Sequence, residues 1–406
     1  MTRAFTFVVA LAIPSLAAAQ ASPADEISDV RSEARGHIGP FYITPSVLVK
    51  EVGIDSNVFN EAGDQKSDFT VTVAPKLNTW VPMSRRALVK STLASDLVWY
   101  SQYATERSVN PQLSVGGELY ARRITVFGDR AHLSTRQRPN HELDLRSRHT
   151  EDAVTAGVRV ALTPTVSVEA AARQVEIRYD TDAEFDGTSL QRTLNRETRG
   201  VQLTGRYRVT PLTALAVRAE VHRDEFQFSP ERDSESYRVM PGVEFEPKAL
   251  LKGSAYVGYR KFTPRMPEAL PEFSGLVGEL GLSYTLLGST TFGVRYRRDL
   301  TYSYSELQPF FVDNSVGASI RRALGGRFDA LASADRHEYA YRHALEIVPV
   351  PAPRLDVTWN YSASVGYRIG RDGRLGFGVA YVQRESTYQL RAYDNLRIGS
   401  TFSYGF

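Results

Sequence analysis

Hydrophobic and polar residues alternate along most of the chain, from residue 41 to the C-terminus. The last stretch shows this most clearly, with Leu396, Ile398, Phe402, Tyr404 and Phe406 separated by small or polar residues. Successive side chains of a β-strand point to opposite faces of the sheet. The alternation therefore predicts strands that have one apolar face and one polar face.

Segments with this alternation recur along the chain and are separated by turn residues, and counting them predicts 18 strands. The longest regular face runs from Leu355 to Ile369. The segment from Ile124 to Ser134 is the least regular, because Phe127 is out of phase with Ile124 and Val126. We expect a β-bulge there, since one extra residue in a strand shifts the phase of those that follow.

Long polar links alternate with short turns along the chain. Single-chain bacterial outer-membrane barrels have an even number of antiparallel strands, short periplasmic turns and longer extracellular loops. The sequence therefore predicts a transmembrane antiparallel up-and-down β-barrel. The predicted long links are 53–67, 136–150, 180–196, 229–233, 264–273 and 337–354.

The N-terminus has the layout of a secretory signal peptide. Residues 1–19 contain a basic residue, Arg3, then an apolar run, then small residues before Gln20. Residues 20–40 show neither a helical nor a strand period, and we expect a flexible periplasmic arm there. The predicted division is a signal peptide (1–19), this arm (20–40) and an outer-membrane barrel (41–406) in a Gram-negative bacterium.

Backbone groups in hydrocarbon must be paired within the protein, so a sheet in a membrane closes into a barrel. Such a barrel presents its apolar face to lipid and its polar face to the lumen. Arginine is the commonest charged residue on the predicted inward face. Guanidinium groups can hold carboxylates and phosphates through two hydrogen bonds, so we predict a path for an anionic solute. The alternative is that these arginines form structural ladders with carboxylates on neighbouring strands. The arginines predicted to line the path are Arg206, Arg208, Arg218, Arg238, Arg260, Arg295, Arg297, Arg321, Arg368 and Arg397.

Aromatic residues near strand ends are expected to form belts at the two membrane interfaces. The predicted outer belt contains Trp99, Tyr100, Tyr103, Tyr302, Tyr304, Tyr388 and Tyr393, and the predicted periplasmic belt contains Phe41, Trp80, Phe245 and Phe406.

The sequence contains no recognisable catalytic motif, and we predict that the protein is not an enzyme and has neither a cofactor nor a metal site. The chain has no cysteine, which excludes disulfides and thiolate metal sites. Its net charge of +3 is too small to indicate a nucleic-acid partner. His222, which lies two residues from both Glu220 and Asp224, is the only histidine placed beside carboxylates on a lumen face. It is a weak candidate for a hydrolase at the rim.

Two segments resemble a known family. The first strand from Phe41 to Val47 (F-Y-I-T-P-S-V) and its exit from Gly53 to Phe59 (G-I-D-S-N-V-F) are similar to the opening of the putative β-barrel porin 2 family. The resemblance implies an outer-membrane barrel of a kind often associated with exopolysaccharide or capsule export. The aromatic C-terminal strand resembles the signal read by the barrel assembly machinery, which implies that this machinery is a partner.

The sequence thus favours an outer-membrane channel for a polysaccharide (exopolysaccharide or capsule) or another anionic solute. Expected partners are outer-membrane lipid, the assembly machinery and periplasmic export proteins. Two alternatives stay open: a structural or adhesion barrel with a closed lumen, and a hydrolase at the outer rim. The apolar runs 308–312 and 343–353 could fold into the barrel, and the sequence leaves this open.

Overall fold

The computed structural model describes residues 30, 34–247, 249–344 and 354–405. The predicted signal peptide and most of the predicted arm lie outside these residues. Within the described ranges, no helix is long and apolar enough to cross a membrane.

The described residues form a closed barrel of 18 antiparallel strands, which confirms the predicted fold and strand number. Each strand pairs with the next along the chain, and the last pairs with the first. The strands are β1 Phe41–Asp55, β2 Asp68–Pro82, β3 Ala87–Tyr100, β4 Ser108–Ala121, β5 Ile124–Thr135, β6 His149–Ala161, β7 Val166–Tyr179, β8 Arg196–Thr210, β9 Thr213–Phe226, β10 Ser234–Phe245, β11 Leu251–Pro264, β12 Phe273–Leu286, β13 Thr290–Tyr302, β14 Phe310–Gly325, β15 Phe328–Arg342, β16 Leu355–Ile369, β17 Gly373–Ser386 and β18 Tyr393–Tyr404.

The connections alternate in length as the sequence predicts. One end of the barrel carries short turns, such as 122–123 and 326–327. The other end carries longer loops, of which 180–195 is the longest. This loop contains a five-residue helix, α1, Leu190–Leu194. Because outer-membrane barrels keep their short turns in the periplasm, we call the long-loop end extracellular.

The two faces of the wall follow the predicted alternation. On β16, Tyr361 and Val365 are 44% and 51% exposed on the outer surface. Asn360, which directly precedes Tyr361 and is in phase with the polar residues, contacts His141 inside the barrel. The apolar face therefore points to lipid and the polar face to the lumen.

Phe127 does not mark a bulge, so this expectation was wrong. β5 pairs with β4 and β6 in unbroken register. Phe127 instead points into the lumen, where it takes the space left by Gly157: a Cβ atom added there would lie 2.4 Å from Phe127 Cζ. A glycine on the neighbouring strand, rather than an extra residue, thus accommodates the apolar side chain on the polar face.

We expect Gly157→Ala to destabilise the barrel by about 1 to 3 kcal/mol, the usual cost of overpacking. The added methyl group would clash with the Phe127 ring and with the carbonyl oxygen of Ala170. Gly205→Ala is a matched control, since a Cβ there meets no atom within 4 Å. Urea unfolding of the refolded barrel measures both variants. Equal stability of the two variants would contradict this packing.

The predicted aromatic belts are only partly correct. Trp99 and Tyr388 are exposed on the outer surface, whereas Trp80 belongs to an apolar cluster inside the periplasmic end. Phe406 lies outside the described residues. The tyrosines of the predicted outer belt that are instead buried are Tyr100, Tyr302, Tyr304 and Tyr393.

The chain before β1 is attached to the wall. A short strand, Gly36–Ile38, pairs with the first residues of β1. Further toward the N-terminus, Val30 packs with Leu88 and Tyr120, both of which face the lumen near the periplasmic turns. The N-terminal side of this strand therefore leads into the periplasmic mouth of the barrel.

Candidate functional site

A ladder of ion pairs crosses the lumen face from β6 to β13. Arg206 lies at its centre, with Nη1 3.1 Å from Glu169 Oε2 and Nε 2.9 Å from Glu244 Oε2. Arg238 connects Glu220 on β9 with Asp299 on β13. The arginines of the ladder are Arg159, Arg206, Arg218, Arg238 and Arg260, and its carboxylates are Glu169, Glu220, Glu244, Glu279 and Asp299.

This ladder is balanced in charge, with five guanidinium groups and five carboxylates. Several members bridge strands that are not adjacent: Arg218 on β9 pairs with Glu279 on β12. Removing one partner of a buried pair leaves an uncompensated charge, which is strongly destabilising. The ladder therefore stabilises the wall from inside, in agreement with the alternative that these arginines form structural ladders with carboxylates. Whether its arginines also guide a solute stays a prediction.

The other predicted lumen arginines are spread along the height of the barrel. Arg295 Nη2 is 2.7 Å from Asp335 Oδ1, and Arg397 Nη2 is 3.1 Å from Asp55 Oδ2. Arg208 donates a hydrogen bond to the carbonyl oxygen of Pro164 at a periplasmic turn. Arg297, Arg321 and Arg368 lie on β13, β14 and β16. The ten arginines thus do not form one site.

The extracellular mouth is crossed by the loop 136–148, which connects β5 and β6. Ser303 Oγ, in the loop between β13 and β14, donates a hydrogen bond of 2.5 Å to Glu142 Oε1. These two loops start from points nearly half the circumference apart in the 18-strand ring. Asp144 Oδ2 lies 2.7 Å from Arg384 Nη1 on β17. The loop therefore spans the opening.

The ends of β13 and β14 fold into the lumen. The pairing of β12 with β13 stops at Arg298, whereas that of β13 with β14 continues to Tyr302 and Phe310. Phe310, Phe311 and Val312 are consecutive, yet all are at most 2% exposed. Neighbouring residues of a wall strand would alternate between lipid and lumen. This end of the hairpin is instead covered on both faces: β13 has separated from β12, while β14 stays paired with β15 from Phe310 onward.

Contacts on both faces of the hairpin place it inside the barrel. The Phe310 ring lies 5.3 Å from that of Phe262, which shares the lumen face of β11 with Arg260. On the other face, Phe311 stacks 4.4 Å from Tyr339, which shares the lumen face of β15 with Asp335. We call residues 136–148 and 299–313 together the plug.

Arg232 fastens the plug to the neighbouring loops. Its guanidinium group donates hydrogen bonds to the carbonyl oxygens of Thr193, Ser303 and Pro309 at 2.8, 2.5 and 2.6 Å. The side chain is buried, and this burial lowers its pKa to about 10. Arg391 reaches the same assembly from the loop 387–392, donating to Tyr304 Oη at 2.8 Å. Several extracellular loops thus hold one another in place.

The carboxyl group of Glu142 is the titratable centre of the plug. Burial raises its pKa from 4.5 to about 7, although the hydrogen bond from Ser303 acts in the opposite direction. The charged groups that act on it are Arg354, Arg384 and Asp356. Among the described residues, its second carboxyl oxygen has no hydrogen-bond partner. The docked plug therefore favours the protonated acid.

We expect the plug to loosen as the pH rises. A carboxyl group whose pKa is raised in the docked state stabilises that state fully at pH values below about 4.5. This stabilisation is lost as the pH rises through about 7. Single-channel conductance should therefore be larger at pH 8 than at pH 5. Glu142→Gln, which mimics the acid form, should reduce the difference, and Glu61→Gln in the loop between β1 and β2, where the side chain is 41% exposed, should keep it. An unchanged pH dependence in Glu142→Gln would contradict this role.

His222 lies in the lumen beneath the plug, with Nε2 3.0 Å from Arg260 Nη2. The adjacent Asp224 accepts hydrogen bonds from Thr198 and Tyr302 rather than from this histidine. Among the described residues, Asp224 thus does not form the hydrogen bond with His222 that a catalytic Asp–His pair requires. Within the described part of the chain, no three His, Asp or Glu side chains are grouped closely enough to hold a metal ion.

The residues that hold the plug were not singled out from the sequence. Arg384 and Arg232 sit among many other arginines, and Glu142 lies in a polar loop without a motif. The apolar run 308–312, for which the sequence leaves inward folding open, is the one sequence signal that points to the plug.

Comparisons with known proteins agree with the barrel. The model of the family described as Putative beta-barrel porin 2 matches residues 33–403. No curated protein matches the chain significantly.

Solved outer-membrane proteins of very different sequence are similar to the chain. A BenF-like porin from Pseudomonas fluorescens Pf-5 has 11% identity and a TM-score of 0.49, covering 89% of this chain and 98% of its own. The outer membrane protein opdK from Pseudomonas aeruginosa has 10% identity and a TM-score of 0.47, covering 91% and 99%. A bacterial polysaccharide outer membrane secretin has 8% identity and a TM-score of 0.37, covering 89% and 98%. Identities this low assign no function.

Proposed function

Because the chain belongs to the putative beta-barrel porin 2 family and forms a porin-like outer-membrane channel, we propose that this channel passes anionic solutes, acidic polysaccharide among them. The plug at the extracellular mouth makes it a gated channel. Periplasmic partners would deliver a polymeric solute to the opposite end.

The observation that carries the proposal is an asymmetry of exposure on the wall from β13 to β16. Arg295 is 41% exposed and its partner Asp335 20%, while Arg368 is 55% exposed and Asp329 9%. Arg297, on the same wall, is also exposed. A passing solute would therefore meet guanidinium groups more than carboxylates. Such groups bind carboxylate and phosphate oxygens in a forked geometry.

Planar-bilayer recordings test this function. With the full chain in a KCl gradient, we expect the reversal potential to have the sign of chloride preference. Arg297→Glu should shift it toward potassium, because the substitution reverses an exposed charge in the lumen. Arg223→Glu is the control, since Arg223 faces outward beside Glu235 at the rim. A preference for potassium in the wild-type protein would overturn the proposal.

The polysaccharide as cargo needs a cellular test. Deleting the gene should reduce secreted acidic polysaccharide, and restoring the wild-type gene should recover it. Unchanged secretion would limit the channel to small anions.

The plug favours a second candidate, a barrel with a closed lumen that acts as a structural or adhesion protein. Several loops contribute to the plug, and Phe310 in its core is fully buried. Conductance separates the two functions. A closed barrel would show no openings between pH 5 and pH 8, either in the wild type or in Glu142→Gln.

A further inference from the structure

The wall is split between β12 and β13 at its extracellular end. The pairing of β12 with β11 extends to Phe273, the first residue of β12. Its pairing with β13 begins only at Gly278, which lies opposite Arg298. Among the described residues, 273–277 therefore have a partner strand on one side only, and we call them the open edge. An unpaired edge of this kind is a template for another strand.

The strand that would complete the open edge belongs to the same chain. Continuing the register of β12 with β13 would place Leu276 opposite Leu300 and Ser274 opposite Tyr302. In the structure this end of β13 pairs with β14 alone, and the side chains of Leu300 and Tyr302 are buried. The open edge and the end of β13 thus match in register but are separated.

Side chains occupy the backbone groups that this pairing would use. The carbonyl oxygen of Leu276 accepts a hydrogen bond of 3.2 Å from Arg298 Nε. The amide of Leu300 donates a hydrogen bond of 2.8 Å to Asp299 Oδ1. A guanidinium group and a carboxylate therefore take the place of two missing ladder bonds.

The direction of the Leu300 amide follows from the ladder on its other side. A strand directs its hydrogen bonds to one antiparallel neighbour from every second residue. Ser303 N donates to the carbonyl oxygen of Pro309, which leads into β14. Leu300 lies three residues before Ser303, so its amide points away from β14 and toward the open edge.

The side chains at the end of β13 suit two positions. Leu300 and Tyr302 are in phase with Val294 and Tyr296, which are exposed on the outer surface of the barrel. In the wall they would face lipid, with the tyrosine near the interface where this residue is frequent. In the structure they belong to an apolar cluster inside the barrel. Because lipid tails are as apolar as leucine, exchanging one surrounding for the other costs little.

We propose that the end of the β13–β14 hairpin alternates between this inner position and a wall position in which it pairs with the open edge. In the wall position, bonds between Leu276 and Leu300 replace those from Arg298 and to Asp299. The hairpin end then no longer fills the extracellular mouth. This inference rests on the proposed channel and identifies the movement that opens it.

Polar contacts at the tip of the hairpin hold the inner position. Arg232 donates to the carbonyl oxygens of Ser303 and Pro309 at 2.5 and 2.6 Å. Tyr302 Oη donates to Asp224 Oδ2 at 2.9 Å. These bonds oppose the movement, because the hairpin end must leave both partners to reach the open edge.

Introduced cysteines test the movement, since the chain has none of its own. Continued register places Gly275 opposite Thr301, and a disulfide requires Cα atoms within about 7 Å of each other. In the refolded full-length barrel, we expect Gly275→Cys/Thr301→Cys to form an intramolecular disulfide under a mild thiol oxidant, detected by mass spectrometry. The disulfide should raise single-channel conductance, and a reductant should reverse the rise.

Thr285→Cys/Thr291→Cys is the matched control on the same two strands. These threonines lie opposite each other in the observed ladder, with 3.3 Å between their hydroxyl oxygens. This pair should form its disulfide without changing conductance. A rise of equal size in the control would contradict the proposed movement.

Arg232→Gln should favour the wall position. Adding it to Gly275→Cys/Thr301→Cys should speed disulfide formation at least about tenfold, because hydrogen bonds from a charged group to the hairpin are lost. Adding it to the control pair should leave the rate unchanged, which also shows that the variant barrel is folded. An equal rate in the test pair with and without Arg232→Gln would contradict the holding role of this arginine.

The movement is overturned if the control pair forms its disulfide and Gly275→Cys/Thr301→Cys does not. A disulfide between two molecules would assign the open edge to a second copy of the chain and would overturn it as well. Conductance separates this inference from the proposed channel. A chloride-selective channel without the test disulfide would sink the movement alone. An intramolecular disulfide in a barrel that never conducts would support the movement and overturn the channel.

Discussion

Shortening the loop that crosses the extracellular mouth should raise single-channel conductance several-fold. Replacing residues 138–146 with a short Gly-Ser linker removes Glu142 and Asp144, which connect this loop to Ser303 and Arg384 on the far side of the opening. An 18-strand barrel is wide enough to leave an aqueous channel unless loops fill it. Planar-bilayer recordings at fixed pH and salt concentration measure the change.

The loop between β1 and β2 supplies the control for this deletion. Residues 62–64 form its exposed tip, and removing them shortens an extracellular loop without touching the plug. Conductance should then remain at the wild-type value. An equal rise in both variants, or none in the first, would show that the plug does not limit the current.

Arg384→Met should destabilise the barrel by about 3 kcal/mol, as expected when one partner of a buried ion pair is removed. The side chain of Arg384 is fully buried and lies 2.7 Å from both Asp144 Oδ2 and Asp356 Oδ2. Asp356 keeps a hydrogen bond from Arg354 in the variant. Asp144 is left with weaker contacts, and its charge accounts for most of the loss.

Urea unfolding with tryptophan fluorescence measures this effect. Arg223→Met makes the same replacement at the exposed rim, where the pair with Glu235 is worth about 1 kcal/mol or less. Adding Asp144→Asn to Arg384→Met should recover part of the lost stability, because the uncompensated carboxylate becomes neutral. A loss in Arg384→Met no larger than that of the rim variant would contradict the bracing role.

The wall could be predicted from the sequence because its determinants are local. Alternation places Tyr361 and Val365 outward and Asn360 inward on any strand that separates lipid from lumen. Turn residues then set where each strand stops. The strand number and the alternation of loop lengths could therefore also be predicted from the sequence. Phe127 shows the limit of this reasoning: its phase is correct for a lumen residue, and only the empty space at Gly157 on another strand explains it.

The plug could not be predicted in the same way, because it depends on contacts between distant parts of the chain. Phe310 and Val312 have the phase of lipid-facing residues, yet they pack against the inner wall because the end of the hairpin has separated from β12. The same holds for the charges. A sequence shows that arginine is frequent on the inward face, but the partners lie up to three strands away, as Glu279 does from Arg218. The balance of charge in the ladder appears only when these strands are assembled.

The short strand Gly36–Ile38 has a consequence for how the barrel is completed. β18 pairs with β1 only from Val47 onward, so the first residues of β1 would otherwise present unpaired amides and carbonyls at the junction of the two terminal strands. Such an edge is a template for joining another polypeptide. Pairing of Phe41–Ile43 with the chain's own N-terminal residues occupies that edge. A newly inserted barrel is thereby protected from adding a strand of a neighbouring molecule at its seam.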